Sequence, residues 1–481
     1  MYTQKRKGLL LVAALLLSGG LWAQTPQERI TKELNQKEMM YGQKAKTIWN
    51  LAEVGYLEEK SSALLQELLN KEGFTIQKGV AGIPTAFVAT YGSGQPVIGV
   101  LGEFDALPGL SQDSLPSRQI VQENGAGHAC GHHLFGVGSA AAVIAVKNWM
   151  VASKQKGTIR FYGTPAEEGG SGKVYMVRAG LFNDVDAVLH WHPGDANSAS
   201  AGSSLANMSA KFRFKGISAH AAGAPERGRS ALDGVEAMNY MVNMMREHVP
   251  SDARIHYIIT QGGKAPNVVP DFAEVYYYVR HPRRDVVQDM WSRIVKASEG
   301  AAMGTGTTVE HEIIGGVYEL LPLDALAKVM YKNLAQVGGV TYDAKEMEFA
   351  KQIGTTFGTV GGSPAPESAA KILPFEYERS GMGSTDVGDV SWTVPTVGLR
   401  TATWVPGTAA HSWQAVAAGG TSIGRKGMMV AAKTIALTAV DLFQNPKTLA
   451  EAKEEFNQKR GEGFEYKALL GNRPPALDYR K

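Results

Sequence analysis

The segment of residues 127–133 restricts most strongly how this chain can fold. It reads Gly-His-Ala-Cys-Gly-His-His and contains Cys130, the only cysteine among 481 residues. A lone cysteine cannot form an intrachain disulfide, whereas thiolate and imidazole groups are strong ligands for first-row transition metals. Cys130 and His132 lie close enough in sequence to reach one small ion. Taken alone, the segment fits either a metal site or a buried thiol beside unrelated histidines.

Further groups of acidic residues and histidines occur downstream, and most of them follow strand-like runs. They are Glu167 with Glu168, after the predicted buried strand 158–162; His190 with His192, at the end of the run that starts at 186; and His411, in a later loop. Adjacent carboxylates repel each other unless a cation lies nearby. Ligand sites of open α/β sheets gather at the carboxyl ends of strands. Together the groups predict an α/β fold with a site for more than one metal ion, although one group alone is weak evidence and Glu167 with Glu168 also fits a solvated loop.

Several segments resemble a known family. Residues 101–108, 128–132, 167–168 and 382–386 are similar to the two-metal aminoacylase and carboxypeptidase family, in its amidohydrolase branch, where a cysteine replaces the bridging aspartate. Residues 384–392, and 411–414 with 421–423, narrow the match within that branch. The resemblance covers nearly the whole chain after about residue 28. It implies an α/β, zinc-exopeptidase-like catalytic domain with an inserted ferredoxin-like dimerisation domain.

The resemblance also implies a ligand set and a mechanism. Two divalent ions, Mn²⁺ or Zn²⁺, would be bridged by Cys130, and the other ligands would be His132, Glu168, His192 and His411. Thiolate and imidazole ligands favour zinc, whereas oxygen ligands and the resemblance favour manganese. Glu167 would act as general base on a water bound by the ions, and then as general acid.

Some positions depart from the family pattern or have a second interpretation. His133 stands where many members have Asp, and His190 matches no family ligand and is expected only to line the site. Distant members have a ligand His where this chain has Glu103. We expect Glu103 and Asp105 to orient a ligand imidazole. Asp386 is expected to do the same near His411, or to be an ordinary turn aspartate.

The middle of the chain has a different pattern from its flanks. Strands are predicted at 209–215, 255–260, 274–280 and 307–314, and helices at 229–248 and 285–299. The order β-α-β-β-α-β is that of a ferredoxin-like unit, which in the family carries the dimer interface. By resemblance, His220 would stabilise the tetrahedral oxyanion across the dimer, and Asn267 and Arg280 would bind the substrate carboxylate. The alternatives are a turn residue for Asn267 and a surface strand residue for Arg280.

The chain termini and the charge complete the predicted organisation. Residues 1–23 are typical of a secretory signal, with basic residues at 5–7 and an apolar core at 8–17 that is short for a membrane anchor, the alternative interpretation. The mature protein is therefore expected to be exported, periplasmic or secreted, and no later run approaches the ~18 apolar residues of a membrane span. The expected domains are a catalytic domain at 28–203 and 316–445, the inserted domain at 204–315 and a charged trailing tail at 446–481. The net charge of +3 has no basic run outside the signal, so nucleic-acid binding is unsupported.

These expectations lead to two classes of function. The first is a metallo-amidohydrolase that cuts the amide between an acyl or aromatic group and a C-terminal amino acid, of the p-aminobenzoyl-glutamate type, with a dipeptidase for β-alanyl or lysyl dipeptides as a rival. The second is a binding or regulatory protein that needs a homologous partner. A homodimer is expected, or a heteromer with a homologous A-type partner. Residues 169–173 look like part of a phosphate-binding loop, but Val174 stands where that motif needs Ser or Thr.

Overall fold

The structure is a computed structural model that describes residues 25–358, 364–377 and 379–480. The predicted export signal at residues 1–23 therefore lies outside the described residues. The first part of the chain contains α1 (Pro26–Leu51), α2 (Glu59–Lys71), β1 (Thr75–Lys78), β2 (Phe87–Ser93), β3 (Val97–Gly102), α3 (His132–Ser153), β4 (Gly157–Gly163), α4 (Glu167–Gly170), α5 (Gly172–Arg178), β5 (Ala187–Gly194) and β6 (Gly202–Ser203).

The remaining elements fall into a middle and a last part. The middle part contains β7 (Ala206–Lys215), α6 (Ala231–Met245), β8 (Arg254–Gln261), β9 (Phe272–His281), α7 (Arg284–Thr305) and β10 (Thr308–Val317). The last part contains α8 (Asp324–Val337), α9 (Ala344–Gly354), β11 (Arg379–Ser380), α10 (Val387–Ser391), β12 (Thr396–Ala402), α11 (Trp413–Gly419), α12 (Ser422–Gln444) and α13 (Pro446–Arg460).

The first and last parts build one mixed six-stranded sheet in the order β1-β2-β4-β3-β5-β12. Strands β1 and β2 pair antiparallel, as do β2 and β4, whereas β4, β3, β5 and β12 run parallel to one another. The carboxyl ends of these four parallel strands therefore meet at one edge of the sheet. A sheet of this kind positions side chains from distant parts of the sequence side by side at that edge.

Helices α3 and α12 form the core layer against this sheet, and α1 packs on both. Both core helices are apolar around most of their circumference, which is the pattern of a fully buried helix. By length and composition alone, both helices could also span a membrane, which differs from the expectation that no run after the signal would be long and apolar enough. In each helix, 83% of the most apolar stretch of 18 residues is buried inside the protein, as expected of core helices.

The middle part forms a separate four-stranded antiparallel sheet in the order β10-β7-β9-β8. Its strands and helices follow the predicted β-α-β-β-α-β order. Alternate side chains of β9, such as Tyr277, are buried on the side that α6 and α7 cover. Tyr276, Tyr278 and Arg280 lie on the opposite face because side chains alternate along a strand.

The last residues differ from the predicted trailing tail. Residues up to Gln444 continue α12, and Pro446 then starts α13, a position that suits proline because its missing N–H is not needed there. Phe456 of α13 and Leu469 and Leu470 beyond it are buried. These few apolar residues dock an otherwise charged segment on the protein, so the prediction of a trailing tail is wrong for the described residues 446–480.

Candidate metal centre

Parallel strands deliver polar side chains to the same edge of the large sheet. Glu103 and Asp105 follow β3, and Glu167 and Glu168 follow β4. His192 lies near the end of β5. These three groups are therefore neighbours because their strands are neighbours.

A sharp turn brings Cys130 and His132 to the same edge. Gly131 between them has φ +75°, and a Cβ at this position would lie 2.6 Å from Pro193. Only glycine combines that left-handed backbone with such a close approach. The turn places Cys130 Sγ 3.4 Å from His192 Nε2 and starts α3 at His132.

Hydrogen bonds set the orientation of two of the imidazoles. His132 Nδ1 donates to Asp105 Oδ1 at 2.8 Å, and His192 Nδ1 donates to the Pro193 carbonyl at 2.7 Å. In the neutral form of either ring, Nε2 is then the nitrogen without a proton, which is the form that binds a metal. Against the effect of burial, the carboxylates of Glu103 and Asp105 raise the pKa of His132 well above its usual value, so a metal ion would displace the proton from its Nε2. Asp105 thus has the orienting contact predicted for it.

The His411 loop closes the site from the far end of the chain. The His411 N–H donates to the Ala129 carbonyl at 3.0 Å, which ties this loop to the Cys130 turn. His411 Nε2 lies 3.2 Å from Glu168 Oε1, and the His411 side chain is 52% exposed. The site therefore opens to solvent on the His411 side, where a substrate can enter. The close contact with the Glu168 carboxylate raises the pKa of His411, while burial and the charges of His132 and Arg280 oppose the rise.

The five predicted ligands come together around one shared sulfur. One group consists of Cys130, His132 and His192, and a second of Cys130, Glu168 and His411; within each group the donor atoms lie within 4.8 Å of one another. A third group joins Glu103, His132 and Glu167. Cys130 belongs to the first two groups, which is the position required of a bridging ligand.

Several buried ligand atoms have close contacts but no well-formed hydrogen bond, an arrangement that suits cations. His132 Nε2 lies 3.0 Å from Glu103 Oε2, and neither of these atoms nor Glu168 Oε1 has a hydrogen bond of good geometry among the described residues. Buried polar atoms without partners are costly. Burial and the nearby carboxylates of Glu103 and Glu168 raise the pKa of Glu167 well above its usual value. Burial likewise raises the pKa of the Cys130 thiol. Divalent cations would offset both effects, so the donor set fits such ions.

Two buried residues that sequence reasoning missed support the site from behind. Lys173 Nζ lies 2.6 Å from Glu103 Oε1 and 2.7 Å from Asp386 Oδ1, and all three side chains are buried. Asp386 therefore binds Lys173. It has no described contact with His411, the imidazole that it was considered to orient. Glu58 is also buried, and its Oε1 accepts the Ala166 N–H at 2.8 Å. The only sequence signal for Lys173 is a charge inside a glycine-rich stretch, and Glu58, which precedes Glu59 and Lys60, has no such signal.

His133 and His190, the two motif histidines that match no ligand position of the family, serve packing. His133 Nε2 lies 3.0 Å from the Gly419 carbonyl, and its ring contacts that of His128. His190 packs over Gly398, where a Cβ would lie 2.3 Å from the imidazole. Neither is part of the candidate ligand groups among the described residues. Burial lowers the pKa of His190 to about 3, with the charges of Lys173 and Arg400 contributing, so this ring is neutral.

The structure separates Arg280 from the other two site residues predicted in the middle part, His220 for the oxyanion and Asn267 for the substrate carboxylate. Arg280 lies on the face of β9 turned away from α6 and α7, close enough to His411 to affect its pKa. Its guanidinium lies over the Tyr278 ring at 5.3 Å, and its Nε is buried without a described partner. His220 and Asn267 are exposed and adjacent to each other, since the Ala221 N–H donates to the Asn267 carbonyl. No hydrogen bond or ion pair among the described residues joins either of them to the ligand groups.

Comparisons with known proteins agree on one family. The model of peptidase family M20/M25/M40 matches residues 99–414. The B subunit of the p-aminobenzoyl-glutamate hydrolase of Escherichia coli (strain K12) is 42% identical over 440 residues, which is 86% of this chain and 91% of that protein. The Xaa-Arg dipeptidase of Mus musculus is 28% identical over 448 residues, covering 90% and 92%. The crystal structure of an aminobenzoyl-glutamate utilization protein from Klebsiella pneumoniae has the same fold, with a TM-score of 0.61, 20% identity and coverage of 86% and 98%.

Proposed function

The chain belongs to peptidase family M20/M25/M40 and is a metal-dependent hydrolase of amide bonds, and we propose that it releases a C-terminal glutamate from an N-aroyl or N-acyl group. The family match and the 42% identity to a hydrolase subunit confirm the predicted resemblance to this family of amidohydrolases. The observation that carries the proposal is the convergence of Cys130, His132, Glu168, His192 and His411 beside Glu167.

The proposed cofactor is a pair of divalent ions, Mn²⁺ or Zn²⁺, which would be held by Cys130, His132, Glu168, His192 and His411, with Cys130 as the residue common to both ligand groups. When bound, two such ions lower the pKa of a shared water and polarise the scissile carbonyl. Thiolate and imidazole ligands favour zinc, whereas the carboxylates also suit manganese. The choice between the two metals depends on metal supply as well as on these ligands.

The proposed chemistry uses Glu167 twice. With the divalent ions offsetting the charge of its carboxylate neighbours, Glu167 can be ionised and accept a proton from the attacking water. It then returns that proton to the leaving amine as the amide bond breaks. Asp105 keeps the His132 imidazole in the tautomer that binds the metal.

The proposed substrate contacts come from the middle part. Arg280, with its unpaired Nε, would bind a substrate carboxylate through a charge-assisted hydrogen bond. His220 Nδ1 accepts the N–H groups of Ala222 and Gly223, so Nε2 carries the proton and can donate to an oxyanion. Because His220 is exposed and has no described contact with the ligand groups of its own chain, we propose that it serves the site of a partner chain, together with Asn267.

The same unit supplies the proposed dimer interface. We assign the middle part as a ferredoxin-like dimerisation domain, because β8 is an edge strand with exposed Ile258 and Ile259, and α6 beside it exposes Tyr240 and Met244. An apolar edge strand invites pairing with a second chain. A homodimer would cover this edge strand and the exposed apolar residues of α6. Since the Escherichia coli relative is named as the B subunit of its hydrolase, a heteromer with a homologous A-type partner is the alternative.

We also propose that the mature protein is exported.

An assay of the purified mature chain tests the proposed activity. We expect manganese- or zinc-loaded protein to release p-aminobenzoate from p-aminobenzoyl-glutamate, with Arg280→Ala raising KM about tenfold or more. Hydrolysis of Xaa-Arg, β-alanyl or lysyl dipeptides in its place would favour the dipeptidase alternative, which the similarity to the Xaa-Arg dipeptidase supports. Release only after a homologous partner chain is added would make this chain one half of a heteromeric enzyme.

Metal content tests the proposed bridge. We expect Cys130→Ser to lower the bound metal per chain, because a serine hydroxyl is a much weaker ligand than a thiolate. Elemental analysis after dialysis measures the effect. Ser139→Ala, at a buried hydroxyl on α3, is a control for mild packing changes. Unchanged metal content and activity in Cys130→Ser would remove the sulfur from the ligand set.

A further inference from the structure

The C-terminal segment of residues 473–480 runs across the protein to the loop that carries Glu167 and Glu168. Arg178 of α5 donates to the Arg473 carbonyl at 2.7 Å, and Tyr175 of the same helix donates to the Pro474 carbonyl at 3.3 Å. The Arg473 Nη2 atom also lies 3.6 Å from Glu312 Oε1 of β10. The segment therefore contacts both the middle part and the helix that follows the glutamate loop.

The last two described residues of this segment, Tyr479 and Arg480, bind the backbone carbonyl of Glu168. Tyr479 Oη donates to the Glu168 carbonyl at 3.1 Å, and Arg480 Nη2 donates to the same oxygen at 2.7 Å. On the other side of the residue, the Glu168 N–H donates to Asp105 Oδ2 at 2.9 Å. Side chains thus bind the backbone of this proposed metal ligand on both sides, and two of the three come from the chain terminus.

The glutamate loop needs such external support. Ala166, Gly169 and Ser171 have φ of +56°, +92° and +58°, so the regular helical hydrogen bonds are interrupted. A left-handed conformation at a non-glycine residue costs free energy and persists only where surrounding contacts enforce it. Tyr56 Oη donates to the Gly170 carbonyl at 2.6 Å. The Tyr56 ring in turn meets the Tyr479 ring edge-on at 5.5 Å, so Tyr479 supports two points of the loop.

We propose that Tyr479 and Arg480 are positioning residues for this hydrolase: they keep the Glu167–Glu168 loop in the conformation in which Glu168 binds metal and Glu167 faces the water. The inference rests on the proposed roles of those two glutamates. Arg480 contributes most, because it supplies a charge-assisted hydrogen bond to the carbonyl oxygen. The site is then complete only when residues 479 and 480 are docked on the glutamate loop.

Cobalt binding tests this inference without a substrate. The metal-free wild type, Arg480→Ala, Arg480→Lys and Tyr479→Phe are titrated with Co²⁺, and the visible absorption bands report the affinity and ligand geometry. We expect Arg480→Ala to weaken the binding of one ion about tenfold and to alter its bands. Arg480→Lys, which retains one charged donor, is expected to recover most of the affinity. Arg29→Ala, at an exposed arginine of α1, is the matched control.

Kinetics on the loaded enzymes provide a second measurement. For Arg480→Ala we expect kcat to fall about tenfold with KM changed less than about twofold, since the loop and not the substrate pocket is altered. Circular dichroism melting is expected to show a folded protein. A cobalt titration of Arg480→Ala identical to that of the wild type would overturn the inference alone. Failure of the wild type to bind cobalt would overturn the metal centre as well.

Discussion

Replacement of Glu167 by Ala is expected to reduce kcat about a thousandfold, which is within the usual range for the loss of a general acid–base group. The bound metal should stay near the wild-type amount, because the proposed ligands Cys130, His132, Glu168, His192 and His411 remain. Two proton transfers depend on the Glu167 carboxylate, one from the water and one to the leaving amine. An Ala side chain can perform neither transfer.

Turnover and metal content must be measured on the same preparations. Glu67→Gln is a suitable control because Glu67 is an exposed carboxylate that pairs with Lys71 on the surface of α2. Glu167 also belongs to a candidate ligand group with Glu103 and His132. Loss of both metal and activity in Glu167→Ala would therefore identify Glu167 as a ligand and contradict its assignment as the general base.

The resemblance implied the proposed ligands, and the sequence also marks them because each lies in a short, chemically unusual motif, most of them at the end of a strand-like run. Cys130 has no disulfide partner, and Glu167 and Glu168 repel each other without a cation. The parallel arrangement of β3, β4, β5 and β12 then explains why these motifs meet. Local pattern and sheet topology lead to the same site.

The supporting contacts were not predictable because they depend on long-range packing. Lys173 lies in a glycine-rich stretch where a lysine is usually solvated, and only the tertiary fold places it between Glu103 and Asp386. Composition also misled the interpretation of the C-terminus. A segment rich in Lys and Glu looks detached, yet Phe456, Leu469 and Tyr479 dock it at three separate places.

Replacement of Lys173 by Met is expected to destabilise the metal-free protein by about 3 kcal/mol, the cost of leaving buried charges without their partner. Methionine fills a similar volume, so the change removes the charge with little loss of packing. Asp386 has no other cation in contact among the described residues, and Glu103 retains only His132. Thermal melting of the metal-free protein measures the effect, and Lys332→Met, at a side chain that is 73% exposed, is the control.

The pH dependence of this loss distinguishes charge from packing. Burial and the neighbouring acids raise the pKa values of Asp386 and Glu103 even with Lys173 present, and removing the lysine must raise them further. An acid whose folded-state pKa is raised stabilises the fold below its unfolded pKa, and this stability is lost as the pH rises through the folded value. The deficit of Lys173→Met relative to wild type should therefore shrink as the pH falls, and Lys173→Met combined with Asp386→Asn should be more stable than Lys173→Met alone at neutral pH. A deficit that is constant with pH would assign the effect to packing, because neutral side chains do not titrate.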